Sequence, residues 1–356
     1  MQLKLNFWIV LLGCLPVLSC AQSENPEPKS YVAYKTVKPL EIDGIDNEQA
    51  WSNVSWSTSF IDIEGVKTPK YPTHMKMLWD DDYLYVLAKM EEPHVWGNLK
   101  QRDTIIFYNN DFELFIDPDG DTHNYYEIEI NALNTVWDLF ITKPFREKGN
   151  PIKHDWDITG LKSAVHVDGT LNNPADEDQS WTLEIALPWT AFKTGYYHKI
   201  EPAGTFWRIN FSRVNWQHSI INGKYQRKKD ASGHYLSEYN WVWSPQGVIN
   251  MHVPEHWGYL YFSPKQPGDS DQFNIPNDER IKWYLYEYYR AQKAHKETHK
   301  AWAESLDLLQ VKDRVLDGHT IKPTLENHST GWNITVKSPF TQRTLIVKED
   351  GKFISK

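Results

Sequence analysis

From Leu40 to about Phe262 the chain runs in short stretches whose apolar residues recur at every second position. Phe112, Leu114 and Ile116 alternate with Asp111, Glu113 and Phe115, and Tyr126, Ile128 and Ile130 with Glu127, Glu129 and Asn131. Trp181, Leu183, Ile185 and Leu187 alternate with Thr182 and Glu184, and Trp207, Ile209 and Phe211 with Arg208, Asn210 and Ser212. A period of two sends successive side chains to opposite faces of a strand. Many such strands between turn residues, such as Asp80-Asp81-Asp82 ahead of Tyr83-Leu84-Tyr85, predict an antiparallel β-sandwich over residues 40–264.

Near Pro276 the period changes. Ile281, Tyr284, Leu285, Tyr288, Ala291, His295, Trp302, Leu306 and Leu309 follow helical spacing, which predicts a long helix over 277–310 started by Asn277 or Asp278. Strand alternation returns in residues 332–337 and 344–347, and Asp350-Gly351 marks a turn, so 319–356 reads as a small β-hairpin tail. The expected fold is mainly β, with the helix and tail as a packing appendage.

The N-terminus has the pattern of an export signal. Lys4 supplies a positive charge, residues 7–12 form an apolar stretch too short to span a bilayer, and Val17-Leu18-Ser19-Cys20 resembles a bacterial lipobox with Cys20 as the lipidated residue. Cys14 after Leu11-Leu12-Gly13 fits the same pattern with a shorter signal, and cleavage after Ala21 is the unlipidated alternative. On the lipobox reading residues 1–20 are removed or anchored, 21–39 form a polar tether, and the protein is exported to the bacterial cell envelope, on a periplasmic or outer membrane. Cys14 then leaves with the signal, and no thiol remains for a disulfide or a Cys nucleophile.

Composition narrows the function. The net charge of −9 with no basic run excludes nucleic acid as a partner. Aromatic residues make up 14% of the chain, with 17 Trp, more than a core is expected to need, so exposed rings available for stacking are anticipated. The strands' polar face collects Glu113, Glu127, Glu129, Asn131, Glu184, Arg208 and Asn210. It is either a solvated sheet surface or a binding face. Planar carboxylates, amides and guanidinium groups suit paired sugar hydroxyls, and flanking aromatic rings suit a sugar's C–H face.

The strings Ile42-Asp43-Gly44 with Glu48 and Trp51, Leu78-Trp79-Asp80-Asp81, residues 111–118, 126–132, 181–189 and 207–213, and finally Trp243-Ser244-Pro245 with Gly258-Tyr259-Leu260, together resemble carbohydrate-binding module family 9. The resemblance implies a jelly-roll sandwich that holds a mono- or oligosaccharide between two Trp rings, often with a structural calcium ion, and an attachment to glycoside hydrolases; this chain carries no recognisable hydrolase domain, so the expected hydrolase partner is a separate protein. Trp96 and Trp216 are the candidate clamp, with Trp137 and Trp241 behind them; Glu113, Glu127, Glu129, Asn131 and Arg208 are the candidate polar contacts. Asp117, Asp119 and Asp121 make a dense oxygen cluster, either a calcium site or a hydrophilic turn. No cofactor is required for binding.

A glycoside hydrolase, or a hydrolase partner, using two of the glutamates is the enzymatic alternative, because carboxyls on adjacent strands fall near catalytic separations. A structural envelope scaffold without a site is the other. No Gly-x-Ser-x-Gly, His-Glu-x-x-His or P-loop motif is present.

Overall fold

The computed structural model describes residues 26–194 and 202–356. The signal region, including Cys20, lies outside them. The main strands are β1 (Ser30–Lys35), β2 (Thr73–Trp79), β3 (Tyr83–Glu91), β4 (Asp111–Asp117), β5 (Tyr125–Asn131) and β6 (Val136–Ile141). They continue with β7 (Lys162–Asp168), β8 (Ser180–Pro188), β9 (Phe206–Asn215), β10 (Tyr239–Val242) and β11 (Gly258–Ser263). All belong to one 13-stranded sheet ordered β6-β5-β4-β9-β11-β1-β2-β3-β8-β7, with Ile152–Lys153 beyond β6, and with β10 and Ile61–Asp62 beside β9.

The sheet curls over itself. Phe112, Leu114, Ile116, Ile128, Ile130, Ile209 and Phe211 of one half meet Met75, Met77, Val86, Ala88, Leu183 and Ile185 of the other in a single core. The sandwich is thus one continuous sheet folded double, and antiparallel except at β1, which pairs parallel with β11 and β2. Residues 30–35, expected in the tether, are therefore the hinge strand joining the two halves. Their alternation spans only six residues, too few to stand out from a polar segment.

Both outer faces of the sheet are also covered. Leu40, Trp51 and Val54 pack on Leu78, Tyr85 and Leu87. Trp257 and Met251 pack on Phe115, Tyr125 and Leu139. This extra cover explains why the tryptophans, expected to be exposed, are mostly core: twelve of those described are buried. Their indole N–H groups fasten loops to strands, Trp79 Nε1 to the carbonyls of Ala33 and Ser263, Trp189 Nε1 to that of Asp80 and Trp257 Nε1 to that of Met251.

The residues of the resembling strings explain one another. Glu184 on β8 accepts hydrogen bonds from the backbone N–H groups of Asp43 and Gly44 and from Trp51 Nε1. Gly44 has φ +86°, and a Cβ there would lie 2.9 Å from the His166 nitrogen, so the turn requires glycine. Asn210 exchanges two hydrogen bonds with the backbone of Ser244.

The long helix spans Asn277–His299 and stops short of the expected 310. Lys300 takes a left-handed conformation (φ 60°), and the Gln292 side chain then grips both backbone groups of Ala303, folding the chain back against the helix. Trp302 thereby packs on Trp332 instead of continuing the helical stripe. Helix residues Tyr284, Leu285 and Tyr288 share a second core with Trp332, Ile334, Val336, Leu345 and Val347. The tail is larger than a hairpin: Thr324–His328, Gly331–Lys337, Thr344–Lys348 and Phe353–Ser355 form a four-stranded antiparallel sheet beside a small hairpin at 314–321.

Candidate ligand groove on the acidic sheet face

The outer face of β4, β5, β6 and β9 mixes acids and amides with apolar side chains, and the strand register fixes which groups are neighbours. Trp137, Glu129, Glu113 and Ser212 form one row across the four strands, and Leu139, Glu127, Phe115 and Asn210 the next. Asn131, Asp111 and Val214 form a row on one side of these, and Asp117 and Arg208 are paired on the other. Sequence alternation predicted this shared face.

At its centre the face is open. Glu113, Glu127 and Glu129 floor a groove of about 350 Å³ walled by Phe107, Trp137, Phe145, Met251 and His252. Trp137 stands on β6 itself, and the other walls come from the segment ahead of β4 and from segments after β6 and β10, which is why alternation within strands did not reveal those. The Phe107 N–H donates to Glu129 at 2.9 Å, and Trp216 Nε1 donates to the Phe107 carbonyl at 2.7 Å. His252 stacks on Phe145 with ring centres 3.7 Å apart, and its ring nitrogen meets the Tyr125 hydroxyl.

The floor is acidic and poorly satisfied. Among the described residues, no Lys or Arg pairs with Asp111, Glu113, Glu127 or Glu129; the His252 imidazole lies 4.0 Å from Glu127. Burial holds the His252 imidazole down at about 3, so it stays neutral. Burial lifts Glu113 to about 7. Burial, and then the negative charge of neighbouring acids, raises Asp111, Glu127 and Glu129 well above the carboxylate range. Trp137 Nε1 on the wall has no hydrogen-bond partner among the described residues.

The Arg208 end of the same face is closed. Arg208 is 1% exposed. It donates to the carbonyls of Trp257 and Glu255 and to the Tyr259 hydroxyl, and forms an ion pair with Glu279 of the long helix at 3.1 Å. The expectation that Arg208 is a polar contact for a ligand beside Glu113, Glu127 and Glu129 is therefore corrected. It shares their face but sits on the Asp117 side, where the helix covers it and supplies its counter-ion. Burial pushes Glu279 up, and Lys282 and Arg208 outweigh this and hold it below its usual range. Burial likewise lifts Glu184 to about 7, against three N–H donors that favour its charged form.

The other candidates lie outside the groove lining. Asn131 is fully buried and uses its side chain on the backbone of Leu133, Thr135 and Leu99, shaping the turn between β5 and β6. Trp96 is buried with Trp216, Val214 and Tyr225, stacked on Tyr225 at 6.0 Å, so the two rings share one cluster behind Phe107. Trp241 packs in the main core.

Asp117, Asp119 and Asp121 do come together, each offering an oxygen within 4.8 Å of the others. The protein's own groups already engage these acids in part. Both Asp117 oxygens accept backbone N–H groups, from Gly120 and Thr122, and Asp121 accepts from His123. Two ammonium groups already sit on the loop, Lys282 on the Gly120 carbonyl and Lys352 on Asp121 at 3.0 Å.

Residues 42–203 match the family described as carbohydrate family 9 binding domain-like. The chain is similar to the exoglucanase XynX of Acetivibrio thermocellus, 28% identical over 116 residues covering 33% of this chain and 9% of that protein. It is similar to the endo-1,4-beta-xylanase A of Thermoanaerobacterium saccharolyticum, 27% identical over 153 residues covering 42% and 11%. The chain thus spans about a tenth of the length of these curated relatives. Solved structures of a carbohydrate binding module family 9 from Caldicellulosiruptor kristjanssonii, with cellotriose and with glucose, are 17% and 18% identical. They cover 69% of this chain and 100% of theirs, each with a TM-score of 0.43. On this match, residues 42–203 of the β-sandwich are similar to carbohydrate-binding module family 9.

Proposed function

We propose that the groove over β4, β5 and β6 binds a mono- or oligosaccharide without cleaving it. One observation carries the reading: three buried glutamates that no Lys or Arg among the described residues pairs with, and the unpartnered Trp137 Nε1, converge on an aromatic-walled groove. Buried polar groups left unpaired are costly. A sugar supplies both donors and acceptors, and its C–H face suits the rings of Phe107, Trp137 and Phe145.

Catalysis is less well supported. A glycosidase needs two carboxyls whose environments push them apart in acidity, one proton donor and one anion. Here burial raises all four acids in the same direction. The anchor belongs to the same proposal: Cys20 holds the binder on an envelope membrane, where it presents glycan to separate hydrolases.

A glycan array followed by calorimetric titration with cello- and xylo-oligosaccharides tests the reading. Saturable binding with no release of reducing ends supports it. Release of reducing ends that Glu113→Gln abolishes would replace it with the hydrolase. Metabolic labelling with a clickable fatty acid should mark the wild-type protein and miss Cys20→Ser.

A further inference from the structure

A second cavity, of about 370 Å³, lies where the Asn277–His299 helix meets residues 26–28, the turn at Pro254–His256 and the hairpin at 314–321. Arg280, Trp283, Glu287 and Arg290 stand three or four residues apart on one side of the helix and line it, and Arg314 reaches in from the hairpin. Three guanidinium groups therefore share one space. Arg280 donates through Nη2 to Glu27 at 3.0 Å, and Arg314 through Nη2 to Glu287 at 2.6 Å; neither makes another hydrogen bond among the described residues. A guanidinium carries five N–H groups, so both keep donors to spare. Arg290 is less well served. It lies 3.7 Å from Glu255, whose other oxygen is held by Arg146 at 3.0 Å. Burial lowers Arg290, and Glu255 offsets this only in part.

We propose that this cavity binds a sugar acid, with its carboxylate on Arg280, Arg290 and Arg314 and its ring against Trp283. Planar guanidinium forks match a carboxylate with two N–H groups at once. Trp283 is half-buried, with the Arg280 guanidinium 5.6 Å from its ring centre, so an apolar ring and a cation stand side by side. The volume is that of a small-ligand pocket. The exposed Glu27 carboxylate on Arg280 marks where a ligand carboxylate would sit, and competes with it. The acidic groove repels such a ligand, so the two cavities divide ligands by charge. The inference goes beyond the saccharide reading of the groove and does not rest on it.

The test titrates the full chain calorimetrically with glucuronate and galacturonate, and with glucose and galactose as their neutral counterparts. The wild type should take up at least one of the acids saturably. Arg280→Gln and Arg314→Gln should each weaken that uptake by roughly tenfold or more, the loss of a hydrogen bond between charged groups. Glu27→Gln should strengthen it, because the competing carboxylate is gone. The side chains of Arg280 and Arg314 are 38% and 42% exposed, so both variants should fold, and circular dichroism checks them. Arg280→Gln decides alone if Arg314→Gln unfolds. Binding of the neutral sugars should be the same in wild type and Arg280→Gln. No saturable uptake of either acid, or uptake that the folded arginine variants leave undiminished, overturns the proposal. An equal loss of acid and neutral sugar in Arg280→Gln overturns it too, since the carboxylate is then not what is recognised.

Discussion

One sheet face carries two polar regions with opposite characters. At the Arg208 end, a buried guanidinium meets two carbonyls, a tyrosine hydroxyl and a carboxylate, and the long helix closes over it. At the Glu113 end, a few residues along the same strands, buried acids face an open groove with, among the described residues, no Lys or Arg and few donors. Both ends are equally polar in sequence. The difference lies in satisfaction: a buried polar group with all its partners holds the fold, and one without them awaits a ligand.

The largest expected effect attacks the satisfied end. Arg208→Ala takes from Glu279 one of its two cationic partners and from two buried carbonyls their guanidinium donor, and should cost about 3–5 kcal/mol, seen as a fall of roughly ten degrees or more in the melting midpoint. Glu127→Ala removes an unpaired acid and should leave the midpoint unchanged or higher. Equal losses in the two would erase the distinction between the ends.

The next sharpens it by pH. Burial raises Glu113 in the folded chain to about 7 from an ordinary 4.5. Between those values the folded state binds more protons than the unfolded state, so stability falls as pH rises through that window and the full cost is present above it. Glu113→Gln should therefore be the more stable protein at pH 8, by on the order of 2–3 kcal/mol, with a flatter melting profile between pH 5 and 8. A parallel profile for wild type and variant would show that the acid is already satisfied.

The same amide change at Glu184, which burial also lifts to about 7, should gain less. Glu184→Gln replaces one of the two oxygens that accept three N–H donors, and that loss of about 1–3 kcal/mol should offset much of the relief at pH 8 in denaturant titrations. The smallest effect concerns the wall. Trp137→Phe keeps an aromatic ring and loses the unpartnered N–H, so glycan affinity should fall by roughly fivefold, about 1 kcal/mol, with stability hardly changed. Trp96→Phe, behind the wall, should leave affinity unchanged.

Much of the fold was legible because alternation is a strong signal. Phe112, Leu114 and Ile116 could only face a core, and this put Asp111, Glu113 and Asp117 on the opposite face, as observed. The sharing of that face by Glu113, Glu127, Glu129 and Arg208 was legible for the same reason. Alternation could not reveal what covers a face. Glu279 reaches Arg208 across 71 residues, and His252 reaches Tyr125 across 127. Such contacts leave no local pattern. The aromatic walls followed the same rule: Phe107 and Phe145 sit in loops, where no period marks them, while Trp96 and Trp216 drew attention by residue type alone. The helix end was missed because Trp302 and Leu306 keep helical spacing even though the chain has already turned at Lys300.

The most direct test of the account is a crystal structure of the protein with its best-binding oligosaccharide. The account predicts a sugar ring over β4, β5 and β6, against Trp137 and Phe145, with hydroxyls within hydrogen-bond reach of Glu113 and Glu127. A sugar seated elsewhere, for example in the cavity of about 370 Å³ between Glu27, Arg280, Trp283 and Arg314, with the acidic groove unoccupied, would contradict it.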